Sequence, residues 1–130
     1  MGLTQLNFTG LNKVEVAIAR IREFALSDEP YYLADSYGKD SCVCRRLLQM
    51  ANSKFETHHS HTGLDAPELI RFGREYHPEV IEEKPIIVFW KALLMPAYGM
   101  LPQRQRRWCC ELLKEGGGAG RRVVTGIRWQ

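Results

Sequence analysis

Tyr31-Tyr32-Leu33-Ala34-Asp35-Ser36-Tyr37-Gly38-Lys39-Asp40-Ser41 is the stretch whose reading decides the fold. Its first four residues predict a strand, and the segment after Ser41 places Val43, Leu47, Met50 and Ala51 at helical spacing. A tight polar loop therefore joins a strand to a helix start. Amides in the first turn of a helix lack intrahelical partners and carry the positive end of its dipole, so this order of elements builds an anion site. Gly38 lets the backbone approach a ligand closely, Lys39 adds a point charge, and Ser36 and Ser41 add hydroxyl donors. The Walker A spacing, G-x-x-x-x-G-K-[ST], is absent.

With 130 residues, 45% of them hydrophobic and 25% charged, the chain reads as one globular domain, 1–130, with a modest core. No apolar run reaches membrane-spanning length and no basic-then-apolar leader opens the sequence, so a cytoplasmic protein without a membrane partner is expected. Cys42, Cys44, Cys109 and Cys110 form two close pairs, which in that compartment read as thiols. Charge is uneven. From Leu101 onward there are seven basic residues against two acidic ones, whereas the first hundred residues are net acidic by two. An anion is expected at the C-terminal end.

Upstream of the central loop, Val14, Ala17, Ile18, Ile21, Phe24 and Ala25 lie on one face of a helix predicted over about 13–26, with Asn12 as N-cap. Downstream, Asn52-Ser53-Lys54 predicts a turn and Phe55–His61 a second strand, although its apolar content is poor for a buried one. His59 and His61 alternate onto one face, but no third and fourth ligand stands at metal spacing, and no metal site is expected. Asp65 and Glu68 form a capping-box-like pair with Pro67 in the first turn of a helix carrying Leu69, Phe72, Gly73 and Tyr76. Val80–Glu82 is a short third strand. Ile86–Leu94 is apolar on nearly every side and reads as a buried helix; Pro96, Gly99 and Pro102 make the next connection an irregular loop suited to covering a ligand. Arg104, Arg106 and Arg107 then cluster, as groups that fork onto phosphate or sulfate do. Glu115–Gly120 is a flexible connection to a last strand, Arg121–Thr125.

Ser36-Tyr37-Gly38-Lys39-Asp40-Ser41 resembles the PP-loop, S-G-G-K-D-S, of the N-type ATP pyrophosphatases and the phosphoadenosine phosphosulfate (PAPS) reductases, with Tyr37 in place of the first glycine. His61-Thr62-Gly63 followed by a proline-containing helix start resembles a second signature of the PAPS reductase group. Pro102-Gln103-Arg104 with Arg107-Trp108-Cys109 resembles its P-T-R-x-x-R-W-C segment, and Thr125-Gly126-Ile127-Arg128 the start of its T-G-x-R-x-x-E-S signature. The four occur in family order between Tyr31 and Gln130.

That resemblance implies a three-layer α/β fold, a mostly parallel sheet with helices on both faces, and a ligand at the carboxyl ends of the strands. It implies an adenine nucleotide (PAPS, adenylylsulfate or ATP) held by Ser36, Tyr37, Gly38, Lys39, Asp40 and Ser41, with His61, Thr62 and Gly63 nearby. Its distal anion would meet Arg104, Arg107, Thr125, Gly126 and Arg128, while Trp108 packs. Magnesium is implied if ATP is used. In some relatives an adjacent cysteine pair joins two later cysteines around a [4Fe–4S] cluster, so Cys109 and Cys110 are partial ligands at most, a longer chain supplying the others. The family implies thioredoxin or another sulfur-transfer protein as partner, and admits nucleic acid and a homodimer. Three functions follow from it: a PAPS-reductase-like protein, an ATP pyrophosphatase that adenylates an acceptor, or a catalytically incomplete nucleotide-binding or interaction protein such as a phage or mobile element encodes. The family's nucleophilic cysteine near the C-terminus does not occur in these residues, and no catalytic residue is assigned.

Overall fold

Among the described residues, four short parallel strands in the order β3-β2-β1-β4 form a sheet: β1 (Tyr31–Ala34), β2 (Phe55–Ser60), β3 (Ile81–Glu83) and β4 (Val123–Val124). The computed structural model describes Gly10 and residues 12–127. Helices α1 (Lys13–Glu23), α2 (Lys39–Met50), α3 (Pro67–Tyr76), α4 (Phe89–Leu93) and α5 (Trp108–Cys110) alternate with the strands, and α5 runs on into a π-helical turn, Glu111–Glu115. The result is a Rossmann-like α/β fold.

Strand register decides what each face carries. Tyr31 pairs with Phe55 and Leu33 with Thr57, so these residues share one face with His59 and, one strand further, Glu82. Leu33 and Leu48 of α2 are fully buried there, joined by Tyr31, Ile21 of α1 and Cys44. Tyr31 also donates its hydroxyl hydrogen to the carbonyl of Ile21 at 2.7 Å, tying α1 to the sheet. Tyr32, Ala34, His58, Ser60 and Glu83 occupy the other face. Lys114, Glu115 and Gly117 approach it there, so the connection from β3 to β4 crosses the face opposite α1 and α2. Its own core is Phe89, Ala92, Trp108 and Leu113, with the Phe89 and Trp108 rings stacked 5.5 Å apart.

Helix ends follow local chemistry. Asn12 Oδ1 accepts from Val14 N at 3.1 Å, as its side chain predicts for an N-cap. Past Ala51, Asn52 adopts φ 55 while Asn52 N bonds the carbonyl of Gln49 and Ser53 N that of Leu48, a Schellman ending.

Several expectations need correction. α1 stops at Glu23: Phe24 leaves the helical region at φ -93 and ψ 0, and Ala25 N turns to the Arg22 carbonyl at 3.4 Å. Ala66, not Asp65, occupies the N-cap of α3, since Asp65 spends its carboxylate on Thr62. Only Phe89–Leu93 of the apolar run is helical, and much of the run is not buried: Ile86 and Leu94 are 103% and 85% exposed. β4 pairs over two residues rather than five.

Candidate functional site

β1 passes to α2 through Asp35–Gly38, and this turn is built on a buried ion pair. Arg45 lies one helical turn from Ser41 and near Leu48 on the inward face of α2, and its guanidinium meets the Asp35 carboxylate, both side chains being buried. Asp35 uses its other oxygen, Oδ1, to accept Tyr37 N at 2.6 Å. Arg45 also contacts His77 Nδ1 and reaches Glu79 at 3.4 Å, linking the loop to the end of α3. A charge out of water is costly unless paired, so the loop is pinned where the pair forms.

Tyr37 has φ 58, a left-handed conformation that favours glycine. The aromatic ring offsets that strain by burial: it is only 5% exposed, stacks on His59 at 4.2 Å, and lies against Gly73 of α3. His59 is itself oriented by a 2.8 Å bond between Nδ1 and the Asp35 carbonyl. Tyr37, which stands where the S-G-G-K-D-S pattern has its first glycine, is thus held in a left-handed conformation by its packing.

Beyond Tyr37, the Ser41 hydroxyl accepts Ser36 N at 3.1 Å and lies 3.1 Å from the Ser36 hydroxyl. Gly38 caps α2 without a side-chain hydrogen bond. Lys39 is exposed and pairs with Asp40 at 2.9 Å. A first turn without a side-chain cap, with an exposed cation beside it, favours an anion.

A cleft of about 710 Å³ opens at this turn. Ser36, Gly38, Lys39, Asp40 and Ser41 border one side, Thr125, Gly126 and Ile127 another, and Lys114 and Glu115 a third. Gly126 comes so near α2 that a β-carbon there would stand 3.1 Å from Asp40 Cβ. β2 and β4 flank β1 on opposite sides, so the cleft sits at the carboxyl ends of the strands where the chain order reverses, the usual ligand position in open parallel sheets. A smaller cavity of about 120 Å³ adjoins it, bordered by His58, His59, Ser60, Asp65 and again Lys114. Tyr32, on the cleft wall, stacks on His58 and donates to Glu83 at 3.0 Å; burial first, and that bond second, push its pKa up to about 12. It therefore serves as a donor at neutral pH.

The sequence-predicted residues divide. Ser36 to Ser41 together with Thr125 and Gly126 meet at the cleft, apart from Tyr37, which points away into the packing with His59. His61, Thr62 and Gly63 follow β2 but do not line it; the Thr62 hydroxyl is committed to Asp65 at 2.8 Å. Arg104 and Arg107 stand exposed outside the lining, Arg107 donating to Cys110 Sγ at 3.5 Å. Arg128 lies outside the described residues. Trp108 packs, as expected, and its indole N–H bonds the Met100 carbonyl at 3.0 Å.

An iron–sulfur cluster does not fit the described cysteines. Cys44 packs into the Leu33 core, Cys42 is exposed, and Cys109 and Cys110 lie on the other face's helical unit. Burial first, and a hydrogen bond that the Cys109 thiol donates to Cys110 second, push that thiol's pKa up. Among the described residues no group of three or more His, Cys, Asp or Glu side chains is placed to hold a metal ion.

Two participants escape the sequence. Lys114 reaches the cleft from the π-helical turn, an irregularity that residue periodicity does not signal. Arg45 had a readable signal, because Ser41, Arg45 and Leu48 share one helix face and a buried arginine there demands an acid. No family model, curated protein or solved structure matches this chain.

Proposed function

We propose that this protein binds an adenine nucleotide, its phosphates at the first turn of α2, as a PAPS-reductase-like PP-loop protein of sulfur metabolism or sulfur transfer. The observation that carries the reading is the meeting of the uncapped α2 turn and Lys39 with Thr125 and Gly126 across one cleft at the chain-order reversal. Its volume falls within the range of small-molecule sites. Two lysines supply cations on separate walls: Lys39 beside the helix start and Lys114 from the π-helical turn. Phosphate oxygens nearest α2 take the positive end of its helix dipole and Lys39, while the distal anion meets Lys114. Arg104 and Arg107 have no part in this arrangement.

Calorimetric titration with adenosine 3′,5′-bisphosphate and, separately, with ATP and magnesium tests it. Binding of the 3′-phosphorylated nucleotide is expected, weakened about tenfold or more by Lys39→Ala. Unchanged affinity in that variant rejects the site. A preference for ATP with magnesium replaces the reductase-like reading with an adenylating one, and binding of neither rejects nucleotide binding altogether.

A further inference from the structure

Residues 84–107 carry five basic side chains and not one acidic side chain, a concentration that the overall charge of +3 conceals. The same segment exposes Ile86, Val88, Trp90, Leu94, Met100 and Leu101, each between 47% and 103% accessible. Large apolar side chains scattered singly need no explanation, but six within sixteen residues do. Trp90 and Leu94 stand one helical turn apart at α4, while Phe89 and Ala92 of the same helix are buried and fix its orientation. Lys84, Lys91, Arg104, Arg106 and Arg107 are exposed around them.

We propose that this segment is a peripheral docking surface for an anionic lipid bilayer. Such a surface needs apolar side chains that enter the headgroup region and cations that meet the lipid phosphates and carboxylates. Charge decides against a second copy of the chain, because each copy would bring five uncompensated cations to the contact. Chemistry decides against nucleic acid, since five of the six exposed residues are non-aromatic and cannot stack on bases; nucleic-acid surfaces are polar and strongly basic. A rigid protein partner requires a packed, shape-complementary patch. Here Ile86 projects almost fully into solvent from an irregular bend and Leu94 from the end of a short helix, a form suited to a fluid that deforms around them. Trp90 matches the aromatic residues that settle at the headgroup level. No helix among the described residues is long and apolar enough to cross a membrane, so contact would be at the surface. The expectation of no membrane partner rested on the lack of a spanning segment, which does not bear on surface docking.

Co-sedimentation of the full chain with phosphatidylcholine vesicles containing about a quarter phosphatidylserine tests this, against vesicles of phosphatidylcholine alone. Binding to the anionic vesicles alone is expected. Trp90→Ser with Leu94→Ser should weaken it about tenfold or more, and Lys91→Gln with Arg106→Gln about tenfold or more. These side chains are exposed and outside the nucleotide cleft, so both variants should keep the wild-type circular dichroism and nucleotide titration. Failure to sediment, equal binding to both vesicle types, or anionic binding untouched by the Trp90/Leu94 change would each overturn the proposal. So would displacement of the protein from vesicles by a duplex oligonucleotide that binds the Trp90/Leu94 variant equally well. None of these results bears on the nucleotide site.

Discussion

Gly73→Ala should destabilise this protein, although the same change in the interior of an ordinary helix stabilises it. Alanine is favoured over glycine by about 1 kcal/mol in a helix interior. At position 73, however, a β-carbon would stand 2.5 Å from Cε2 and 2.7 Å from Cε1 of Tyr37, far inside van der Waals contact. The ring cannot retreat, being stacked on His59 at 4.2 Å and attached to a backbone held by Asp35. Inserting a methyl into such a packed site costs about 1–3 kcal/mol, and contacts this short belong at the upper end. The net expectation is a loss of about 2 kcal/mol in urea denaturation, read as a lower midpoint at unchanged slope. In a Tyr37→Gly background the obstacle is gone and the sign should reverse, Gly73→Ala now gaining about 1 kcal/mol. Tyr37→Gly alone relieves left-handed strain but loses a buried ring, a net cost of about 2–3 kcal/mol that a domain of this size tolerates. The double-mutant cycle should therefore show a coupling of about 3 kcal/mol. Stabilisation by Gly73→Ala in the wild-type background, or no coupling, would refute the Tyr37–Gly73 contact and with it the account of how the loop is pinned.

Arg45→Met should cost about 3–5 kcal/mol in the same denaturation assay, because it strands the buried Asp35 carboxylate. Combining it with Asp35→Asn, which keeps an oxygen for Tyr37 N, should recover part of the loss; strict additivity would contradict the pairing. Glu82 is held below the usual carboxylate range by its hydrogen bonds from Arg74, at 2.8 and 2.9 Å. A lowered folded-state pKa contributes stability that is complete above the unfolded value and lost as pH falls through the folded one. Since Arg74 is largely exposed, Glu82→Gln should cost only about 0.5 kcal/mol at pH 7, and the difference from wild type should vanish once acid has protonated the folded-state carboxylate. A difference that persists in acid would refute the ion-pair explanation.

The strand–loop–helix of residues 31–50 was legible because strand-forming residue types, loop chemistry and helical spacing agreed. β2 was harder. Thr57, His58 and His59 are polar by type yet buried, with His58 stacked on Tyr32 and His59 on Tyr37, and residue type alone says nothing of partners on the neighbouring strand and the loop after it. The run Ile86–Leu94 misled in the opposite sense: hydrophobicity promises burial only when there is a core to enter, and only Phe89 and Ala92 reach one fully. At the cleft, Ser36 and residues 38–41 could be picked out from the order of strand, polar loop and helix start, and Thr125 and Gly126 only through the resemblance. Arg104 and Arg107 were grouped with them by charge, but an exposed connection separates them from the lining.

The central claim, a nucleotide at the β1/β4 reversal, is tested most directly by backbone amide NMR during titration with adenosine 3′,5′-bisphosphate. The account predicts the largest shifts at residues 36–41 and 125–127, with Lys114 responding and residues 86–101 silent. Shifts concentrated away from the α2 turn, or none at saturating nucleotide, would contradict it.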